Sequence, residues 1–155
     1  VTKSRSVSVV AMTFCGLLAA LLLSAAAVKG DGERSRSVGK HRVVIEVTLD
    51  GTDQWTAALN YTENLRKVFG PANTEIEVVG HNAGLKMMIA RNNDLSDRMK
   101  TLADDGVVFA ACENSMRKMN VSKADLLPFA TPVDSGAAEV VRKQEAGWSY
   151  LKSGV

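Results

Sequence analysis

Two cysteines, two histidines, and a scatter of carboxylates and amides beside apolar runs are the residues of this chain with chemistry to offer. Thiolates act as nucleophiles and metal ligands, and imidazoles move protons near neutral pH. Cys15 lies inside one long apolar stretch, while Cys112 closes another, Val107 to Ala111. Glu113-Asn114-Ser115 follow Cys112 and lead into a helical pattern. Backbone N–H groups at a helix start stabilise a thiolate, so this position favours a reactive sulfur. Glu113 works the other way if its carboxylate points inward. The competing reading of Cys112 is a small buried apolar residue at a strand end, a common use of free cysteine. His81 is a candidate base or thiolate partner, against a plain solvated loop histidine.

The elements that must position these groups follow from hydrophobic period. Arg42 to Thr48 is β-branched and mostly apolar, a strand signature, Thr74 to Val79 reads as a second strand, and Val107 to Ala111 is a continuous apolar run, as a strand buried on both faces requires. Pro132-Val133 reads as a short fourth strand after a loop over Leu126 to Thr131. From Gln54, residues Trp55, Leu59, Thr62, Leu65 and Phe69 share a helical face, with Asp53 as N-cap and Gly70-Pro71 as the stop. Leu85 to Ala90 is an apolar run that suits a short helix or, on periodicity alone, a strand. Asn93 caps a helix ending near Asp104, and Gly106 closes it. Glu113 to Met119 is helical. Ser135 caps a last helix whose stripe is Val140, Val141, Gln144, Trp148 and Leu151. Strands alternating with helices predict a small doubly wound α/β domain, a parallel sheet of four or five strands with helices on both faces.

In such sheets ligands bind beyond the carboxyl ends of the strands. Asp50 and Asp53 stand after the first strand, His81 and Asn82 after the second, Cys112 and Asn114 after the third, and Asp134 and Ser135 after the fourth. These are the pocket candidates, with Cys112 and His81 carrying the chemistry. Turn and N-cap roles are the plainer reading of Asp50 and Asp53.

The N-terminus has the form of a secretory leader. Lys3 and Arg5 precede the apolar stretch Val9 to Leu23, and Ser24-Ala25-Ala26-Ala27 offers a cleavage site. Residues 1–27 are expected to be a signal peptide and 28–40 a polar linker, with the domain over 41–152. The alternative is an uncleaved inner-membrane anchor, since Ser6 to Val28 is uncharged and long enough to span. Either reading places the domain outside the cytoplasm, periplasmic or secreted. Cleavage removes Cys15, leaving no partner for a disulfide within the chain and no multi-cysteine zinc set.

Charge narrows the function classes. The chain holds 19 Lys and Arg against 17 Asp and Glu. The small excess is local to residues 1–40, so a basic nucleic-acid face is not expected. No Gly-x-Gly-x-x-Gly follows the first strand, and no Gly-x-Ser-x-Gly is present. No metal or organic cofactor is required.

Three stretches together resemble the DsrE/DsrF-like sulfur-relay family. They are Gly106-Val107-Val108-Phe109-Ala110-Ala111-Cys112-Glu113-Asn114-Ser115-Met116, then Asp125-Leu126-Leu127-Pro128, then Ser135-Gly136 with Gln144-Glu145-Ala146-Gly147-Trp148-Ser149-Tyr150-Leu151-Lys152. The resemblance covers about residues 41–152. It implies a small α/β domain that forms homo-oligomers and a cysteine, here Cys112, that carries sulfur as a persulfide. It also aligns His81, in the turn His81-Asn82-Ala83-Gly84, with a histidine frequent in relatives. The function expected is an exported thiol protein that accepts sulfane sulfur from donor proteins or small thiols and hands it on. The alternative is a small-ligand-binding or assembly module with a structural cysteine. Membrane contact is expected only if the leader stays uncleaved.

Overall fold

The computed structural model describes residues 39–91 and 93–154. The expected leader and most of the linker lie outside the described residues. Five strands form one sheet: β1 (His41–Val47), β2 (Thr74–Gly80), β3 (Val108–Cys112), β4 (Ala130–Val133) and β5 (Ser149–Lys152). All pairings are parallel, in the order β4-β3-β2-β1-β5. Four α-helices join them: α1 (Thr52–Phe69), α2 (Ser96–Asp104), α3 (Glu113–Met119) and α4 (Gly136–Glu145).

The strands send alternate side chains to opposite faces. Val43, Ile45, Val47, Ile76, Val78, Phe109 and Ala111 meet α1, α2 and α3 through Leu59, Met99, Leu102 and Met116 in the larger core. Met87 and Met88 are fully buried there, so the methionine pair is packing. On the opposite face Val44, Val79 and Ala110 meet Val140 of α4, with Val133 and Trp148 alongside. This doubly wound arrangement is dictated by the strand order. Right-handed crossovers from β1 to β4 step in one direction and keep three helices on one face. The return from β4 to β5 runs the other way, so α4 crosses the back of the sheet. Adjacent chain exits after β3 and β4 therefore leave toward opposite faces, which opens a crevice between them.

Several local expectations change. The last helix does not reach Leu151. It stops at Glu145 because Gly147 takes φ +82°, with Gly147 N–H bonded to Gln144 O and Trp148 N–H to Lys143 O. That pairing is a Schellman stop, which a glycine serves without steric cost. Ser149–Lys152 then extends and pairs with Val43–Glu46 as β5. Ala130 and Thr131 belong to β4 rather than to a loop; Pro132 is tolerated because β4 is an edge strand. The N-cap of α1 is Gly51, and Asp53 sits inside the first turn. Asn93 stands ahead of α2, accepting from Leu95 N–H at 3.0 Å while its amide donates to Met87 O at 2.7 Å. The segment after β2 is a 3-10 helix over Asn82–Met88.

Candidate functional site

The sulfur of Cys112 lies at the crevice between the carboxyl ends of β3 and β4. Cys112 ends β3 and is also the N-cap residue of α3, and it is 4% exposed. Burial pushes its thiol up, but the Ser115 hydroxyl and the backbone N–H groups of Gly136, Ser115 and Asn114 outweigh it. The net result is a thiol held below its ordinary pKa. Two helix starts thus converge on one sulfur, α3 through Asn114 and Ser115 and α4 through Gly136. The α3 contribution follows from the sequence pattern. The α4 contribution requires the reversal after β4.

Gly136 is there because nothing larger fits. A β-carbon on it would lie 2.7 Å from His81 Cβ and 3.1 Å from Cys112 Cβ. The same contacts bring His81 and Cys112 into one site, since both β-carbons press on a single point. Ser115 is oriented in turn by Asn82, whose N–H donates to Ser115 Oγ at 2.8 Å. Asn82 adopts φ 50°, a left-handed conformation that asparagine tolerates. Its turn is pinned to the end of β1: His81 N–H reaches Val47 O and Gly84 N–H reaches Thr48 O, each at 3.1 Å. Gly84 permits this approach, because a β-carbon there would sit 2.1 Å from Val47 O.

His81 is buried beside the crevice rather than solvated. Its Nε2 lies 2.7 Å from Glu46 Oε1, and Tyr150 Oη donates to Glu46 Oε2 at 2.5 Å. Glu46 is opposed by burial, yet hydrogen bonds from Tyr150 and His81, with the charges of His81 and Lys152, hold its carboxyl below the usual range. Burial and the Glu46 carboxylate push the Tyr150 phenol up to about 12. Glu46 and Tyr150 do not stand out in the sequence as site residues. Their signal is a lone carboxylate inside the run Arg42 to Thr48, and a tyrosine that reads as packing until β5 places it beside β1.

The remaining candidates separate. Asn82 and Asn114 belong to the site through their backbones, and Asn114 Oδ1 itself takes Arg117. Ser135 caps α4, accepting from Ala138 N–H at 3.4 Å, next to Gly136. Asp50 pairs with Lys86, Asp53 lies on the exposed first turn of α1, and Asp134 binds Arg142 at 2.6 Å on the surface. None of these three carboxylates reaches the sulfur. Glu113 points outward to Arg117 at 3.7 Å, so its expected opposition to a thiolate is absent. Among the described residues no cluster of three or more metal-ligating side chains is formed. A cavity of about 290 Å³ backs onto Asn82 and Ser115, with Lys86, Lys118 and Met119 in its walls. Among the described residues no helix is long and apolar enough to cross a membrane.

Comparison with known proteins agrees with this architecture. The family model described as the DsrE/DsrF-like family matches residues 12–153. A protein of unknown function from Methanobacterium thermoautotrophicum is similar at 30% identity, covering 73% of this chain and 99% of its own, with a TM-score of 0.63. A conserved protein of unknown function from Bacteroides thetaiotaomicron shares the fold at 15% identity, covering 72% of this chain and 94% of its own, with a TM-score of 0.57. No match is found among curated proteins.

Proposed function

The chain belongs to the DsrE/DsrF-like family, and from that premise we propose that it is a sulfur-relay protein carrying sulfane sulfur as a persulfide on Cys112. The observation that supports this most is the cage of donors around one free sulfur: the Ser115 hydroxyl and three backbone N–H groups. A cysteine kept only for packing has no need of four donors, since the neutral thiol is a weak acceptor. A thiolate does, because an uncompensated buried anion is costly.

The step balances without a cofactor. The Cys112 thiolate attacks the outer sulfur of a persulfide donor R–S–SH. A new S–S bond forms on Cys112, the donor's own S–S bond breaks, and its electron pair leaves with R–S⁻. An acceptor thiolate reverses the sequence and takes the outer sulfur away. The same donor cage fits the persulfide anion, which carries its charge one atom further out. On this reading the protein is exported by the leader over residues 1–27, works outside the cytoplasm, and acts as a homo-oligomer. N-terminal sequencing of the protein from its native cell tests the export step: a start near Val28 is expected, and an intact leader would mean an anchor.

The burial of Cys112 favours a second reading, a binding or assembly module in which the cysteine is structural. Intact-mass spectrometry after exposure to a polysulfide donor separates the two. A one-sulfur adduct forming faster on the native protein than on unfolded chain, and absent in Cys112→Ser, supports sulfur carriage. Labelling only after denaturation overturns it.

A further inference from the structure

We propose that Glu46 and Tyr150 are positioning residues that hold His81 as the proton shuttle of Cys112, a role that rests on the sulfur-carrier reading. The geometry has three parts. First, an ionised carboxylate only accepts hydrogen bonds, so the contact at 2.7 Å places the proton on His81 Nε2. The other ring nitrogen, Nδ1, is then the atom that takes up or gives up a proton. Second, Nδ1 is bonded to Cγ, and Cγ is the part of the ring that lies against Gly136 and the crevice. Among the described residues the ring makes one hydrogen bond, from Nε2 to Glu46, which leaves Nδ1 without a partner. Third, the Tyr150 hydroxyl occupies the second oxygen of Glu46 and fixes the carboxylate plane.

Glu46 is otherwise out of place. It interrupts a strand whose neighbours Val43, Val44, Ile45 and Val47 are buried and apolar. A carboxylate brought into such a run is costly unless it is paired, and both of its oxygens are spent on this network. Lys152 aside, the other charges nearby are committed elsewhere. Lys152 of β5 adds its field to Glu46. On α4, Arg142 is held by Asp134 and Glu139, and Lys143 by the buried Glu77 at 2.6 Å. What α4 gives the crevice is the Gly136 N–H, which acts on the sulfur rather than on the imidazole.

The chemistry is a cysteine–histidine–carboxylate constellation applied to sulfur transfer. Cys112 releases its proton to solvent, His81 Nδ1 takes one up from solvent, and Glu46 balances the imidazolium. The thiolate attacks the outer sulfur of R–S–SH. The departing R–S⁻ takes the proton from Nδ1 and leaves as R–SH. The imidazole is neutral again, and Cys112 holds the persulfide.

A shuttle matters most when the leaving thiolate is basic, and this separates it from a structural role. Full-length wild type, Glu46→Gln, Tyr150→Phe and His81→Asn are mixed with an alkyl hydropersulfide and, in parallel, with an aryl hydropersulfide whose thiolate leaves without a proton. Adduct formation on Cys112 is timed by mass spectrometry, with melting curves as the folding control. Glu46→Gln is expected to slow transfer from the alkyl donor by about 10- to 100-fold, less than the ~100- to 10,000-fold that a positioned proton-transfer group contributes, because the variant keeps the imidazole itself. The aryl donor is expected to lose much less. Tyr150→Phe, on the exposed edge strand, should show the same selectivity with a smaller loss. Equal rates for variants and wild type, or equal losses with both donors, overturn the shuttle while leaving sulfur carriage standing. No adduct on the wild-type protein overturns sulfur carriage, and the shuttle falls with it.

Discussion

Gly136→Ala puts the packing of the crevice and the activation of the sulfur in opposition to helix propensity. Alanine is the better helix former, by at most about 1 kcal/mol at this first position of α4, so propensity alone expects a more stable protein. The new methyl would meet His81 Cβ at 2.7 Å and Cys112 Cβ at 3.1 Å. Both are β-carbons, fixed to the backbone and unable to rotate aside. Relief requires the start of α4 to move away from β2 and β3 by several tenths of an ångström, and overpacking of this kind costs about 1–3 kcal/mol. The two effects leave a net loss of about 0–2 kcal/mol, a modest fall in Tm. The same displacement withdraws the Gly136 N–H from the thiolate. A hydrogen bond to a charged group contributes about 1.5–3 kcal/mol. Losing the lower end of that range reduces the thiolate population near neutral pH by about tenfold. The assay is the iodoacetamide alkylation rate of Cys112 at pH 7, read by intact mass beside a thermal melt. Slower alkylation by about tenfold with a small change in Tm is expected. Unchanged alkylation together with an unchanged or raised Tm would refute both the contact and the donor role of Gly136.

Ser115→Ala removes the side-chain donor to Cys112 and leaves the Asn82 N–H without its acceptor at 2.8 Å. Alkylation at pH 7 is expected to fall by about tenfold, with the rate recovered at higher pH where the thiolate forms anyway; a rate equal to wild type at every pH would sink the assignment. The Tyr150 phenol, pushed up to about 12 by burial and Glu46, makes a pH prediction with a definite sign. The folded state holds this proton more tightly than the unfolded chain, whose tyrosine pKa is about 10. Its stabilisation is therefore complete below pH ~10 and is lost as pH rises toward 12. Ultraviolet titration should show one of the two tyrosines ionising late, and Glu46→Gln should bring it down; a single shared transition near 10 contradicts the contact with Glu46.

The elements legible from the sequence are those whose hydrophobic period matches their final packing. The runs Arg42 to Thr48, Thr74 to Val79 and Val107 to Ala111 mark β1, β2 and β3 because their β-branched and apolar residues are buried against helices on both faces. The strand β5 was hidden for the opposite reason. It is an edge strand with Ser149, Tyr150 and Lys152 exposed, and Trp148 and Leu151 fall at spacings that also suit a continuing helix. Gly147 carried the correct signal, since an alanine–glycine pair after a basic turn is a stop. In the same way Ala130-Thr131 reads as loop until β3 offers a partner, because an edge strand gains its hydrogen bonds from one side alone.

The site divides along the same line. The position of Cys112 was legible because it depends on local sequence, a buried strand running straight into a helix. Asp50, Asp53 and Asp134 have the right topological position, yet each has a cation or open solvent closer than the sulfur. Position at a strand end is therefore necessary for the crevice and not sufficient. What decides membership is face. Register pairs Val79 with Ala110 and with Glu46, and Val44 with Tyr150. Glu46, Tyr150, His81 and Cys112 all follow that alternation onto the side of the sheet crossed by α4. That face has one helix for five strands, too little cover to bury an apolar surface completely, and its upper end is filled by a hydrogen-bonded network instead. The gap that the single helix leaves is what admits polar groups next to a buried sulfur. The glycine at the start of α4 then closes them to contact distance.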